Sequence, residues 1–180
     1  MVDQVQQQPY VTLNSGHRMP QIGLGTFLAD EKVQAIVLQA ITQEGYRHID
    51  TAAGYSNEHH IGLAIKDALA SGKVTREELF ITTKLWVTDY DDIEGAVKRS
   101  LTNLQVEYLD LYLIHWMRPL LTEDPETKAI NVPKQPIHKI WAELERLVKA
   151  GLIRSIGVSN CTVPVLLDIL TYAEIKPAVN

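Results

Sequence analysis

Residues 79–114 read LFITTKLWVTDYDDIEGAVKRSLTNLQVEYLDLYLI, an apolar run at 79–85, a helical pattern at 90–104 and a second apolar run at 108–114. Both runs are short and rich in β-branched and aromatic residues, which suits buried strands, and Asp89 supplies an N-cap before the helical pattern. A strand, a helix and a strand in that order make a βαβ unit. Its crossover forces parallel pairing and, being right-handed, puts the helix on one face of the sheet.

The alternation extends in both directions. Upstream, 21–25 (QIGLG) and 46–50 (YRHID) predict strands, the first of them buried. Between them Asp30 precedes Val33, Ile36, Val37, Ala40 and Ile41, one apolar helical face that Gly45 ends. A helix at 57–71 has Asn57 as cap and Gly72 as stop. Downstream, the pattern predicts a helix at 137–150 closed by Gly151, a strand at 153–158, a helix at 162–172 capped by Thr162, and a sixth strand at 175–179. At the front, 10–13 and 18–20 flank Asn14-Ser15-Gly16 as a hairpin, with 1–9 as a flexible tail. The class is α/β. Segment 117–136, with Pro119, Pro125, Pro133 and Pro136, follows a strand and predicts a long loop on the face that usually carries function.

Composition narrows the partners. The 180 residues carry 17 Lys+Arg against 22 Asp+Glu, a net charge of −5, with 46% apolar residues. That charge argues against nucleic acid or an anionic membrane surface as partner, because the general field repels both. The single Cys161 rules out a disulfide framework and multi-cysteine zinc sites and points to a reducing, cytoplasmic setting. No signal peptide and no apolar run of about 18 residues is evident. The length suits one domain and a doubly wound sheet, and falls short of the roughly 250 residues of an eightfold barrel.

In a βα array the strand ends that lead into helices share one rim. The residues there are Gly25-Thr26, Asp50, Lys84, His115 and Ser159-Asn160, each ending an apolar run. Tyr55 lies five residues past Asp50 and can fold back over the same rim. Together these groups suit one chemistry. A tyrosine hydroxyl is a weak acid whose phenolate a neighbouring ammonium stabilises; Lys84 supplies it, Asp50 orients the lysine, and His115 donates a hydrogen bond to a carbonyl oxygen. No nucleophile with its own base is present. The set protonates an oxyanion while something else delivers an electron pair, for which a nicotinamide hydride is the source.

Four stretches then carry a family resemblance: 50–58 (DTAAGYSNE), 83–86 (TKLW), 110–116 (DLYLIHW) and 157–160 (GVSN), with 19–26 (MPQIGLGT) matching as well. They closely resemble the aldo-keto reductases, in particular the aldose and aldehyde reductase branch, in order and spacing from about residue 10 to the last residue. The resemblance implies a TIM (β/α)8 barrel with an N-terminal hairpin floor and metal-free reduction of aldehydes and ketones by NADPH, with NADH as the other nicotinamide. Only about the first six of eight strands lie within 1–180, an incomplete single barrel domain. By motif, Tyr55 is the general acid, Lys84 its charge partner, Asp50 the orienting carboxylate and His115 the carbonyl orienter. Ser159 and Asn160 hold the nicotinamide carboxamide, with Thr26 and Asp50 beside the cofactor. Phe27, Trp86, His115 and Trp116 line an apolar substrate pocket. The complete enzyme is expected to be a monomer acting on a small carbonyl compound.

Three positions depart from the family pattern. Met117-Arg118 stand before Pro119, which alters the substrate loop; Cys161 replaces an aromatic residue; and Gly54 replaces a larger one, which implies a roomier pocket. Other motifs are weaker. Gly23-Leu24-Gly25 begins like a dinucleotide fingerprint, but Leu28 occupies the third glycine position. His59-His60 lack the spacing of a helical zinc motif and read as surface residues, and His48 reads as a satisfied interior histidine. The alternative function is a truncated, non-catalytic binding or regulatory protein of the same fold.

Overall fold

The computed structural model describes residues 8–27, 32–117, 122–123, 130–131 and 135–180. The tail at 1–7, the Asp30 cap and most of the 117–136 loop lie outside the described residues.

Strands β1 (Tyr10–Thr12) and β2 (Arg18–Pro20) pair antiparallel, Tyr10 opposite Pro20, as the hairpin pattern predicts. Gly16 closes the turn at φ +84°, a left-handed conformation that glycine adopts without strain. Then follow β3 (Leu24–Gly25), α1 (Val33–Thr42), β4 (His48–Asp50), α2 (Glu58–Ala70), β5 (Phe80–Leu85), α3 (Ile93–Leu104) and β6 (Leu109–Ile114). A small antiparallel pair, β7 (Thr122–Glu123) and β8 (Ile130–Asn131), precedes α4 (Ile137–Lys149), β9 (Ile153–Val158) and α5 (Val163–Tyr172).

The sheet order decides between the two α/β architectures. The parallel sheet runs β3-β4-β5-β6-β9, each strand beside its successor with no reversal of direction. A doubly wound sheet reverses its order at a switch point and carries helices on both faces. Here consecutive helices pack on one another, and with the outward strand residues Ile49, Ile81, Leu85, Tyr112, Ile114 and Val158 they form one large core. Among the described residues, the opposite face has a small cluster, Phe80, Leu111 and Leu113, plugged by Leu13 from the hairpin. Successive residues of a strand point to opposite faces, so Phe80 and Ile81 serve different cores. Helices outside and a floored interior make this the arc of a β/α barrel.

Some boundaries differ from the sequence reading. The 21–25 strand shrinks to two residues, with Ile22 and Gly25 exposed, because β3 has a single neighbour, β4, among the described residues. Gly23 is also pressed against the His48 ring, where a Cβ would meet Nδ1 at 2.7 Å. The predicted sixth strand, 175–179, is not a strand. It runs along β9 with Val158 N–H donating to the Val179 carbonyl and Ala178 N–H to the Ile156 carbonyl, while Pro177 has no N–H to extend a ladder. Ile36 is 48% exposed, so the buried stripe of α1 is narrower than predicted: Val33, Val37, Ala40 and Ile41. The α3 cap is Asp92, which accepts from Gly95 N–H, and Asp89 instead pairs with Arg99. Asn57 and Thr162 hold N-cap positions without side-chain cap bonds.

Candidate active site

The rim is built by extending the ladder one residue past each strand. Thr26 N–H donates to the Asp50 carbonyl, Thr51 N–H to Thr82, His115 N–H to Leu85 and Ser159 N–H to Ile114, all within 2.9–3.2 Å. Each chemically useful side chain thus stands on a backbone fixed to its neighbouring strand. Lys84 shares the inward parity of Phe80 and Thr82, which carries its long side chain into the barrel.

Inside, the Lys84 ammonium donates to Asp50 Oδ1 at 2.5 Å and to the Thr51 carbonyl at 2.8 Å, and lies 3.5 Å from the Tyr55 hydroxyl. Its side chain is 7% exposed, so the ammonium requires these acceptors in place of water. Tyr55 comes from the short 3-10 turn Ala53–Tyr55 between β4 and α2. Its ring meets the His115 ring edge-on, with centroids 5.5 Å apart. Burial, with a smaller contribution from the Lys84 charge, pushes His115 down to about 4. The imidazole is therefore neutral at pH 7, and its buried Nδ1 has no hydrogen-bond partner among the described residues. A neutral ring carries one N–H donor and one lone pair.

Aromatic groups wall this cluster. Trp86 lies 5.1 Å from His115, Trp116 stacks on it at 6.2 Å, and Phe27, 65% exposed, lies 5.0 Å from Tyr55. Tyr90 fixes the Trp116 carbonyl by donating its hydroxyl to it. Gly54 corrects the expectation of a roomier pocket. A Cβ there would stand 2.5 Å from the Trp86 indole, so the space that glycine frees is filled by tryptophan.

At the end of β9, Asn160 adopts φ +52° and its amide nitrogen donates to the His115 carbonyl at 2.8 Å and to Ser159 Oγ at 3.1 Å. A hydroxyl and a carboxamide are held side by side next to His115. Thr26 reaches the rim, but it is buried with its hydroxyl donating to the Asp50 carbonyl. The structure thus brings Asp50, Tyr55, Lys84, His115, Thr26, Ser159, Asn160, Phe27, Trp86 and Trp116 to the same end of the sheet. Cys161 is half-buried against the core, with burial pushing its thiol up, and His48 meets Thr82 Oγ1 at 2.9 Å inside the barrel.

Sequence reasoning treated Asn57 as a cap and gave Thr51 and Glu58 no role. Asn57 is buried, and its amide accepts from the Thr51 hydroxyl and donates to the Thr26 carbonyl. Glu58 is buried and accepts from Thr83. The signal was present in 50–58, where Asp50, Thr51, Ser56, Asn57 and Glu58 crowd polar side chains into one short span.

Other polar or concave regions do not share this chemistry. Concavities of about 360 Å³ and 570 Å³ lie away from the rim, the first around Arg18, Asp110 and Arg154, the second around Ile22, Tyr46 and Lys73. Among the described residues, no three His, Cys, Asp or Glu side chains are grouped to hold a metal, and no helix is long and apolar enough to cross a membrane.

Comparison with known proteins agrees with this architecture. The chain is 43% identical to the NADP-dependent D-sorbitol-6-phosphate dehydrogenase of Malus domestica, an alignment covering 94% of this chain and 58% of that protein. It is 43% identical to aldo-keto reductase family 1 member A1 of Rattus norvegicus, over 94% of this chain and 54% of that one. Among solved structures, the aldose reductase of Schistosoma japonicum superposes with a TM-score of 0.87 at 39% identity, covering 96% of this chain and 60% of that chain. A Bombyx mori aldo-keto reductase, solved in complex with NADP, gives 0.85 at 37%, covering 97% and 57%. The chain spans a little over half the length of these relatives. The family model of the aldo/keto reductases matches residues 19–180, and the chain belongs to that family.

Proposed function

We propose that the chain carries the acid-base centre of a reductase that converts aldehydes or ketones to alcohols with NADPH. The observation that carries this reading is the line from Asp50 through the buried Lys84 ammonium to the Tyr55 hydroxyl, with neutral His115 against the Tyr55 ring. Reduced nicotinamide, when bound, supplies a hydride to the carbonyl carbon. The residues fit such a cofactor, because the Ser159 hydroxyl and the Asn160 carboxamide together offer the donors and acceptors that a nicotinamide carboxamide requires.

The chain's own residues do the rest. His115 donates its single N–H to the substrate oxygen and orients the carbonyl between the Trp86 and Trp116 rings. Tyr55 transfers its hydroxyl proton to that oxygen as charge develops on it. The Lys84 ammonium stabilises the phenolate left behind, and Asp50 together with the Thr51 carbonyl keeps the ammonium in place. The aromatic walls favour apolar carbonyl compounds over hydrated ones. A non-catalytic binding role has no use for a buried ammonium aimed at a phenol, so the assembled set favours the enzyme.

The test is oxidation of NADPH, with NADH as the comparison arm, in the presence of aromatic and sugar aldehydes. Tyr55→Phe is expected to lower kcat by about 10²- to 10⁴-fold, the range of a general acid, with the helical circular dichroism intact. A wild-type rate in that variant overturns the assignment.

A further inference from the structure

We propose that Asn57 is a positioning residue for the proton donor, acting through Thr51 and Thr26; this rests on the acid-base reading above. Three strand ends must agree for Lys84 to reach Tyr55, and among the described residues the sheet ladder fixes the chain no further than Thr51, whose N–H donates to the Thr82 carbonyl. That chain leaves β4, passes through Thr51 and the turn Ala53–Tyr55, and enters α2 at Glu58. The Asn57 carboxamide spans this excursion. Its Oδ1 accepts from Thr51 Oγ1 at 3.1 Å and its Nδ2 donates to the Thr26 carbonyl at 2.8 Å, with Asn57 only 4% exposed.

Both contacts bear on the ammonium. Thr51, held through its hydroxyl by Asn57, presents the carbonyl that accepts from Lys84 at 2.8 Å. Thr26, held through its carbonyl, donates from its N–H and its hydroxyl to the Asp50 carbonyl, fixing the residue whose carboxylate is the other partner of Lys84. Asn57 is also two residues past Tyr55, separated by Ser56 at φ +57°, so it anchors the far end of the turn that carries the phenol. Without it, the Thr51 hydroxyl and the Thr26 carbonyl at the β3–β4 corner lose this buried partner and the turn is free to shift. The displacement would move the Tyr55 hydroxyl relative to Lys84 while leaving the aromatic walls in place. Rate should therefore suffer more than substrate binding, since misplacement of a reacting group by about 1 Å can cost on the order of 100-fold.

The experiment compares Asn57→Ala and Thr51→Val with the unaltered chain by two readouts. Thr51→Val removes the hydroxyl that meets Asn57 and preserves side-chain shape. In steady-state reduction of an aromatic aldehyde, kcat is expected to fall about tenfold in Asn57→Ala and about threefold in Thr51→Val, with KM within about twofold. Independently of activity, nitrogen-15 spectroscopy should show the Lys84 ammonium as a slowly exchanging signal, assigned by its loss in Lys84→Met. That signal is expected to broaden in both variants as water reaches the ammonium. An unchanged Lys84 signal in folded Asn57→Ala, or in Thr51→Val where Asn57→Ala does not fold, overturns the inference. Loss of the signal's protection together with a wild-type rate in Tyr55→Phe would leave the positioning intact and overturn the proposed chemistry instead.

Discussion

Two ends of the same sheet hold a carboxylate against a mostly buried cation, and they differ in the groups gathered around the pair. At the rim, Asp50 meets Lys84, while the Tyr55 hydroxyl stands 3.5 Å from the ammonium and His115 Nδ1 has no hydrogen-bond partner among the described residues. At the opposite end, Asp110 accepts from Arg76 at 2.7 Å, Arg154 at 3.3 Å and the Ile81 N–H at 2.9 Å. Arg76 donates in turn to the Leu79 and Tyr108 carbonyls, and both guanidinium groups stack on the Tyr108 ring. The lower network ties β5, β6 and β9 together, and its leftover groups, Arg76 Nε and the Tyr108 hydroxyl, are buried within it with no hydrogen-bond partner among the described residues. The rim instead gathers a phenol, an ammonium and an imidazole beside one carboxylate. An ion pair by itself therefore says little about function, and neither does a leftover polar atom; the kind of titratable groups gathered beside the pair says more.

The sharpest way to break this comparison is to remove each carboxylate. Asp110→Ala strands a mostly buried guanidinium and the Ile81 N–H, and should lower the unfolding free energy by about 3–5 kcal/mol, measured by urea denaturation. The rate per folded molecule should stay near wild type. Asp50→Ala should do the reverse. Its carboxylate is 35% exposed and Lys84 retains the Thr51 carbonyl, so the stability loss should stay near 1 kcal/mol while turnover falls by at least about tenfold. Equal stability losses at the two sites would end the distinction.

These two sites were unequally legible in the sequence. Asp50, Lys84 and His115 each close an apolar strand, so the βα pattern alone placed them on one rim, and Tyr55 followed from its distance to Asp50. Asp110 also lies within a strand, but its partners Arg76 and Arg154 come from a short turn and a distant strand, and no periodic signal links them. The Asn57 contacts were hidden for a similar reason. An asparagine before a helix reads as a cap, and only the folded β3–β4 corner shows its amide turned toward Thr26 and Thr51. Element types were legible because burial imposes a period. Edges were not: 21–25 and 175–179 are apolar enough for strands, yet strand length depends on neighbours that composition does not reveal.

An unfolded histidine titrates near 6.5, whereas His115 in the fold is held down to about 4 by burial and by the Lys84 charge. Between those values the unfolded chain binds a proton that the folded chain does not. Stability contributed by neutral His115 is therefore present above about pH 6.5 and is lost as pH falls toward 4, on the order of 2–3 kcal/mol across the window. His48, also lowered by burial, adds a loss of the same sign. Replacing His115 by Gln should flatten the acid limb of a stability profile while leaving the His48 part. An identical limb in the variant would remove the rim as the acid-sensitive region.

The smallest effect tests the wall rather than the charges. Gly54→Ala puts a methyl group 2.5–2.9 Å from three atoms of the Trp86 indole, closer than carbon atoms can pack. Gly54 is itself exposed and the indole is only partly buried, so the ring can swing outward instead of straining the backbone. The stability cost should stay near 1 kcal/mol. Trp86 would then leave its edge contact with His115, opening one side of the substrate wall. The expected outcome is a KM for aromatic aldehydes raised by about threefold, roughly 0.7 kcal/mol, with kcat nearly unchanged and a shifted tryptophan emission. A fall in kcat of the size produced by Asp50→Ala would show that Trp86 holds His115 for the chemistry, and the division between walls and proton-transfer groups would have to be redrawn.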